Sequence, residues 1–265
     1  MTALMVLACV LALLFSSCDN FFSKNLIGSP RSYNPDKIGI TASNSEEWFN
    51  ATIGNNPLRI ALIAATDREL KNPSLSPDDR AVLVNLRLRL TIDSAGLVES
   101  ILTVGAESLK DIKFEDLDES FLENLLTDIL DDFISKGGAE AADDIIDLLI
   151  DHISGKGKNQ APTFEPGFAD NFKAGDVAET ILILILAEMA GIEDFDSLDL
   201  SFFEKFILGL EVKDGHIVVS DEGEATEMAL VLAAYINLIV DDESGKYESN
   251  PLTNLIKEAF LGLDN

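Results

Sequence analysis

The chain has 265 residues, 47% apolar and 25% charged, ordinary values for a packed protein and too apolar for wholesale disorder. Its net charge of −28, from 47 Asp and Glu against 19 Lys and Arg, sets it against phosphate backbones and disfavours nucleic-acid binding. Both cysteines, Cys9 and Cys18, lie at the N-terminus, so the body of the chain has no thiol for a disulfide, a thiolate metal site or a cysteine nucleophile.

Every residue from Leu4 to Phe15 is apolar. The run is too short for a bilayer, which takes about 20 helical residues, but has the length of a secretory h-region. Small Ser16 and Ser17 follow, then Cys18. An apolar run, two small residues and a cysteine resemble the lipobox of bacterial membrane lipoproteins. Phe15, third before the cysteine, matches the relaxed form found in spirochaetes. The resemblance covers residues 1–18 and implies a signal peptide over 1–17, cleavage before Cys18 and lipid attachment to Cys18. It also implies a tether over 18–45 and a place in the cell envelope, on the periplasmic face or the cell surface. An ordinary secretory leader with an incidental cysteine is the alternative.

Residues 19–45 mix Asn, Ser, Gly and Pro without helical period and read as a spacer. Phe21, Phe22, Ile27, Tyr33 and Ile38 argue that parts of it pack back on the body. From 46 to 265 the pattern is helical. Ser45-Glu46-Glu47 offers a cap with acids in the first turn. Asn56-Pro57 opens a helix that runs to about Leu70, and Ser76-Pro77-Asp78-Asp79 opens a third. This third helix carries Val82, Leu83, Leu86 and Leu90 on one face and Arg80 and Arg87 on another, with a break near Ser94 and continuation to about Leu109.

The clearest helix covers 118–134, where Phe121, Leu122, Leu125, Leu126, Ile129, Leu130, Phe133 and Ile134 form one stripe opposite Asp128, Asp131 and Asp132. Ser135-Lys136-Gly137-Gly138 ends it, glycines supplying positive φ. A partner helix over 139–153 turns Ile145, Ile146, Leu149 and Ile153 inward, which predicts an antiparallel helical hairpin. Residues 154–172 are irregular and form a candidate sub-boundary. Helices follow over 176–190, 200–210, 224–240 and from Asn250-Pro251 to about Leu261. Between the second and third of these, Asp214-Gly215 in 211–218 predicts a two-residue β-hairpin, the only strand structure expected.

Phe114, Leu117, Asp118, Ser120, Phe121 and Glu123 recur as Phe195, Leu198, Asp199, Ser201, Phe202 and Glu204. Convergence of acidic amphipathic helices explains this as well as duplication does. The fold expected is all-α, stacked antiparallel helical hairpins with one small β-hairpin, and if the unit is duplicated the stack is solenoid-like.

Chemistry is sparse. His152 sits at a predicted helix end and His216 beside the hairpin turn, and no HExxH, GxSxG, P-loop or dinucleotide motif occurs. Asp116, Asp118 and Glu119, with Asp194, Asp196 and Asp199, place hard oxygens together but lack EF-hand spacing, and helix capping explains them better than calcium. The expectation is therefore no catalytic residue, no metal and no cofactor. The charge is also split: residues 111–265 hold 36 acids against 9 Lys and Arg, and no arginine follows Arg89. The near-neutral part with Arg59, Arg68, Arg80, Arg87 and Arg89 is expected to dock on the acidic part or on a neighbouring subunit. The function this supports is a lipid-anchored binding or scaffold protein presenting an acidic surface to a basic protein partner. The alternatives are a periplasmic component with an apolar pocket for a lipid or small molecule and, further off, a carboxylate-dependent hydrolase.

Overall fold

The computed structural model describes residues 33–109, 119–189, 209–221 and 225–247, with Asn250, Pro251, Thr253, Asn254 and Lys257 beyond them. Of these, 67% are helical, joined by two small antiparallel strand pairs. No described helix is long and apolar enough to cross a membrane. Cys18, Asp116, Asp118, Asp194, Asp196, Asp199, the expected 200–210 helix and the second copy of the repeat lie outside the described residues.

Local signals set the first helices. Helix α1 spans Ser45–Thr52. In α2 (Asn56–Leu70) the side chain of Asn55 accepts from Leu58 N and Pro57 occupies the first turn. In α3 (Pro77–Ser94) Ser76 Oγ accepts from Asp79 N at 3.1 Å. Gly96, at φ 67°, turns the chain into α4 (Leu97–Leu109).

The sequence assigned one apolar face to α3, but every residue from Leu83 to Ile92 is buried. The reason is that α3 is the wall between two cores. Leu83, Leu86 and Leu90 pack with Leu58, Leu62, Ile38 and Ile40. Val84, Leu88 and Ile92 pack with the later helices. An i, i+4, i+8 row beside an i, i+3, i+7 row covers most of the circumference. Ile38 and Ile40, at 5% and 2% exposure, attach the stretch before α1 to the body, and Arg68 fastens it by donating to Pro35 O and Ile38 O at 2.8 Å each.

Helix α5 (Glu119–Ser135) and helix α6 (Gly138–Leu149) meet at two glycines with different tasks. Gly137 takes φ 90°. Gly138, expected as part of the same cap, instead opens α6, and a Cβ there would collide with the Phe133 ring. Helix α6 also ends earlier than its apolar spacing predicts. A 3-10 turn covers Ile150–His152, and Ile153 enters β1 (Ile153–Ser154), paired with β2 (Thr163–Phe164). This corrects the expectation of one strand pair: Ile153 is buried in either conformation, so burial period could not tell them apart.

The irregular stretch after β1 is built into the core, with Phe164, Phe168 and Phe172 buried together with residues from before and after it. Helix α7 (Ala174–Met189) is buried on most sides. Strands β3 (Leu210–Lys213) and β4 (His216–Val219) form the expected hairpin, with positive φ at Asp214 and Gly215 as a type I′ turn requires. Thr226 caps α8 (Glu227–Val240), which starts three residues later than expected. Buried Asn237 of α8 locks both strand pairs to it: its Oδ1 accepts from Ile217 N, and its Nδ2 donates to Ile217 O and Pro162 O, all at 2.8–2.9 Å.

Candidate functional site

Two side chains of α3 organise the polar interior. Arg87 and Arg89 lie two residues apart, so they leave the helix on roughly opposite sides. Each is only 8% exposed. Arg87 reaches Asp67 of α2 at 2.8 Å and Asp144 of α6 at 3.0 Å, and also donates to Thr91 Oγ1. Arg89 reaches Glu46 of α1 at 2.6 Å, lies 3.4 Å from Asp176 of α7, and covers the Phe49 ring at 3.7 Å. Two guanidinium groups thus pin four helices to the central one. Of the five arginines expected to meet the acidic part, Arg87 and Arg89 do so, through Asp144 and Asp176, while Arg59, Arg68 and Arg80 bond within the near-neutral part.

The remaining described arginines are also engaged. Arg59 pairs with Asp93 at 3.0 Å and donates to its carbonyl, across the C-terminal end of α3. Arg80 donates to Leu70 O and Asn72 O, closing the end of α2.

Carboxylates in this seam differ by environment. The Arg89 hydrogen bond holds Glu46 below the usual range, with help from Lys173 at 3.0 Å. Burial pushes Asp176 up, against the pull of Arg89 and Lys173. Burial, with the charges of Asp176 and Asp93 beside it, raises Glu179 to about 7. That places a proton-exchanging carboxyl next to the seam, a group the sequence could not single out because its neighbours come from α3 and α7.

On the outer side of α6, Glu140, Asp143, Asp147 and Asp151 follow one another at three and four residues and are all exposed. With Asp128 and Asp131 of α5, also exposed, they have no ion-pair partner among the described residues. The apolar residues of α6 (Ala141, Ala142, Ile145, Ile146 and Leu149) face the core.

A cleft of about 240 Å³ opens over the last turns of α8. Phe164, Ala234 and Leu238 line it, and Glu165, Asp170 and Asp241 bring carboxylates to it. Each of the two histidines meets one of these carboxylates. His152 stacks on Phe168 at 4.1 Å and places Nδ1 3.3 Å from Glu165 Oε2. His216 places Nε2 2.7 Å from Asp241 Oδ1, and this bond raises its pKa above 6.5. Sequence reading left His152 as a helix-end residue and His216 as an exposed one. The shared cleft was hidden because Glu165 and Asp241 are 76 positions apart.

Among the described residues no three His, Cys, Asp or Glu side chains gather closely enough to hold a metal ion. Glu119 opens α5, apart from any such group. No protein-family model matches this chain, and no curated protein or solved structure matches it either.

Proposed function

We propose that the chain is a lipid-anchored, extracytoplasmic binding or scaffold protein that presents an acidic face to a basic protein partner. One observation carries the reading, the division of charge between inside and outside. The described arginines are engaged by the chain itself, while the α6 stripe stands exposed with no cation beside it among the described residues. Like charges spaced at three and four weaken the helix that bears them by about 0.2–0.5 kcal/mol per pair, which the fold alone does not ask for. A basic partner relieves that repulsion and gains charge steering on approach.

The anchor rests on the pattern from Leu4 to Cys18. In the same reading the helices stack as antiparallel hairpins from a duplicated unit, supported by the match of 114–126 with 195–207. A hydrophobic-ligand carrier is the weaker reading, since a 240 Å³ cleft lies below the range of about 300–1,000 Å³ used by drug-sized ligands.

The tests are separate. Cys18→Ala abolishes metabolic palmitate labelling in the native host, and continued labelling refutes the anchor. Glu140→Gln, Asp143→Asn, Asp147→Asn and Asp151→Asn together remove the partner recovered by crosslinking while leaving far-UV circular dichroism unchanged. Undiminished recovery, or a partner that is itself acidic, refutes the acidic-face reading.

A further inference from the structure

From Pro57 to Ala65 the only polar residue of α2 is Arg59. A helix apolar on every side is normally a buried one. Here one side is covered, with Leu58, Ala61, Leu62 and Ala65 buried. Pro57, Ile60 and Ala64, at i, i+3 and i+7, stand exposed on another side. Ile60 is 62% exposed, the most of any large apolar side chain among the described residues.

We propose that this face of α2 rests on a phospholipid leaflet, with Ile60 entering the interfacial layer beside the anchored end of the chain. The proposal rests on the anchor at Cys18 put forward above and adds which side of the body meets the membrane.

The path of the chain names this occupant. Fourteen residues separate Cys18 from Tyr33, a span of at most about 50 Å when fully extended. Tyr33 stands beside the start of α2, where Asn55 Nδ2 donates to its Oη at 3.1 Å. Ile60 follows Asn55 by five residues, about 7.5 Å along the helix axis. Tyr33 is itself 36% exposed, so two of the three exposed large apolar side chains among the described residues lie where the anchored end meets the body. The third, Ile134, lies three residues after exposed Asp131.

Charge turns the same face toward lipid. No Asp or Glu occurs between Asp19 and Asp36 or between Glu47 and Asp67, in a chain where 47 of 265 residues are acidic. Residues 20–66 hold Lys24, Arg31, Lys37 and Arg59 against Asp36, Glu46 and Glu47. This end approaches an anionic leaflet without the repulsion that a chain of net charge −28 meets elsewhere. A basic protein partner, as proposed for the α6 stripe, finds no carboxylate between Pro57 and Ala64 to pair with. A single apolar side chain is a weak membrane signal by itself. Next to acyl chains it has only to orient a body already held at the surface.

The test irradiates the full chain in membranes of the native host, with p-benzoyl-L-phenylalanine in place of Ile60 and, as comparison, in place of Asp147 on the α6 stripe. Mass spectrometry is expected to find a phospholipid adduct at position 60 and none at position 147. An adduct to another protein or to residues 19–32, lipid adducts at both positions, or no adduct at position 60 overturns the proposal. A second measurement uses the purified full chain in phosphatidylcholine vesicles containing about one quarter phosphatidylglycerol. There Ile60→Cys should react with a membrane-impermeant maleimide about tenfold or more slowly than Asp147→Cys, and equal rates overturn the proposal. Palmitate labelling reads the anchor separately. A labelled chain with no lipid adduct at position 60 refutes this orientation alone, and an unlabelled chain that still gives the adduct refutes the anchor alone.

Discussion

The guanidinium of Arg87 meets the carboxylate of Asp144 at 3.0 Å, joining the near-neutral first part of the chain to its acidic remainder. The arginine is buried and the aspartate side chain is 54% exposed, so the two ends of this pair respond differently to removal. Arg87→Ala removes packing and three polar partners, leaving Asp67 and Asp144 free to hydrate. The expected loss is about 2–4 kcal/mol in urea unfolding. Arg87→Met keeps the stem's packing and loses less. Asp144→Asn at the exposed end costs at most about 1 kcal/mol. Equal losses from Arg87→Met and Asp144→Asn would show that the buried end is no more demanding than the exposed one.

The α6 stripe weakens its own helix. Asp147 stands four residues after Asp143 and in the last turn, where the helix dipole disfavours negative charge. Asp147→Asn should stabilise the protein by about 0.3–1 kcal/mol at low ionic strength. The gain should shrink in 1 M salt, where the screening length falls to about 3 Å. Melting temperatures at two salt concentrations check both statements.

What could be read from the chain was local. Asn55-Asn56-Pro57, Ser76-Pro77 and Asp214-Gly215 carry their own geometry, and each element begins or turns where they stand. The role of α3 was concealed because Arg80 and Arg87 made one side look solvated. The neutralising partners of Arg87 and Arg89 come from α1, α2, α6 and α7, contacts that no spacing along the chain announces. The strands at Ile153–Ser154 and Thr163–Phe164 are too short to show alternation. A signal was present nonetheless in Phe164, Phe168 and Phe172. Their spacing of four without a helical context marks a loop that buries rings, and all three gather with Tyr235 of α8 at centroid distances of 4.9–5.8 Å where their rings meet. Cys18, the one site residue named from sequence, lies outside the described residues.

Gly137 and Gly138 separate two reasons for glycine within one loop. At Gly137 the strain of Ala comes from φ 90°. At Gly138 the obstacle is the Phe133 ring, which is fully buried and has nowhere to go. Gly138→Ala should therefore cost about 1–3 kcal/mol as an overpacking change. Adding Phe133→Leu should recover part of that loss, while the same second change should do nothing for Gly137→Ala. A double-mutant cycle measured by chemical denaturation decides it.

His216 offers a direct reading of the α8 end. The Asp241 bond is the largest cause of its raised pKa, outweighing partial burial, with Asp214 adding to it. A histidine whose folded pKa is raised stabilises the fold fully below the unfolded value of about 6.5 and loses that contribution as pH rises through the folded value. The ring is 39% exposed, so the effect on melting is small and proton NMR is the better probe. The His216 titration midpoint should lie above 6.5 and fall towards it in Asp241→Asn.

Glu179 gives the same direction of pH dependence as His216, here from a carboxyl. Burial raises it from 4.5 to about 7, and Asp176 and Asp93 add repulsion, while Arg89 and Arg59 are already committed to those two neighbours. Because the folded value lies above the unfolded one, the neutral form supports the fold. Its contribution is complete below pH 4.5 and is lost as pH rises through 7. The full span is worth up to about 3 kcal/mol at pH 8. Glu179→Gln, which cannot ionise, should raise stability at pH 8 by up to that amount and change little at pH 4. Urea unfolding of both proteins across this range checks the sign, and a variant that is less stable at pH 8 would mean that the ionised carboxylate holds a cation the described contacts do not include.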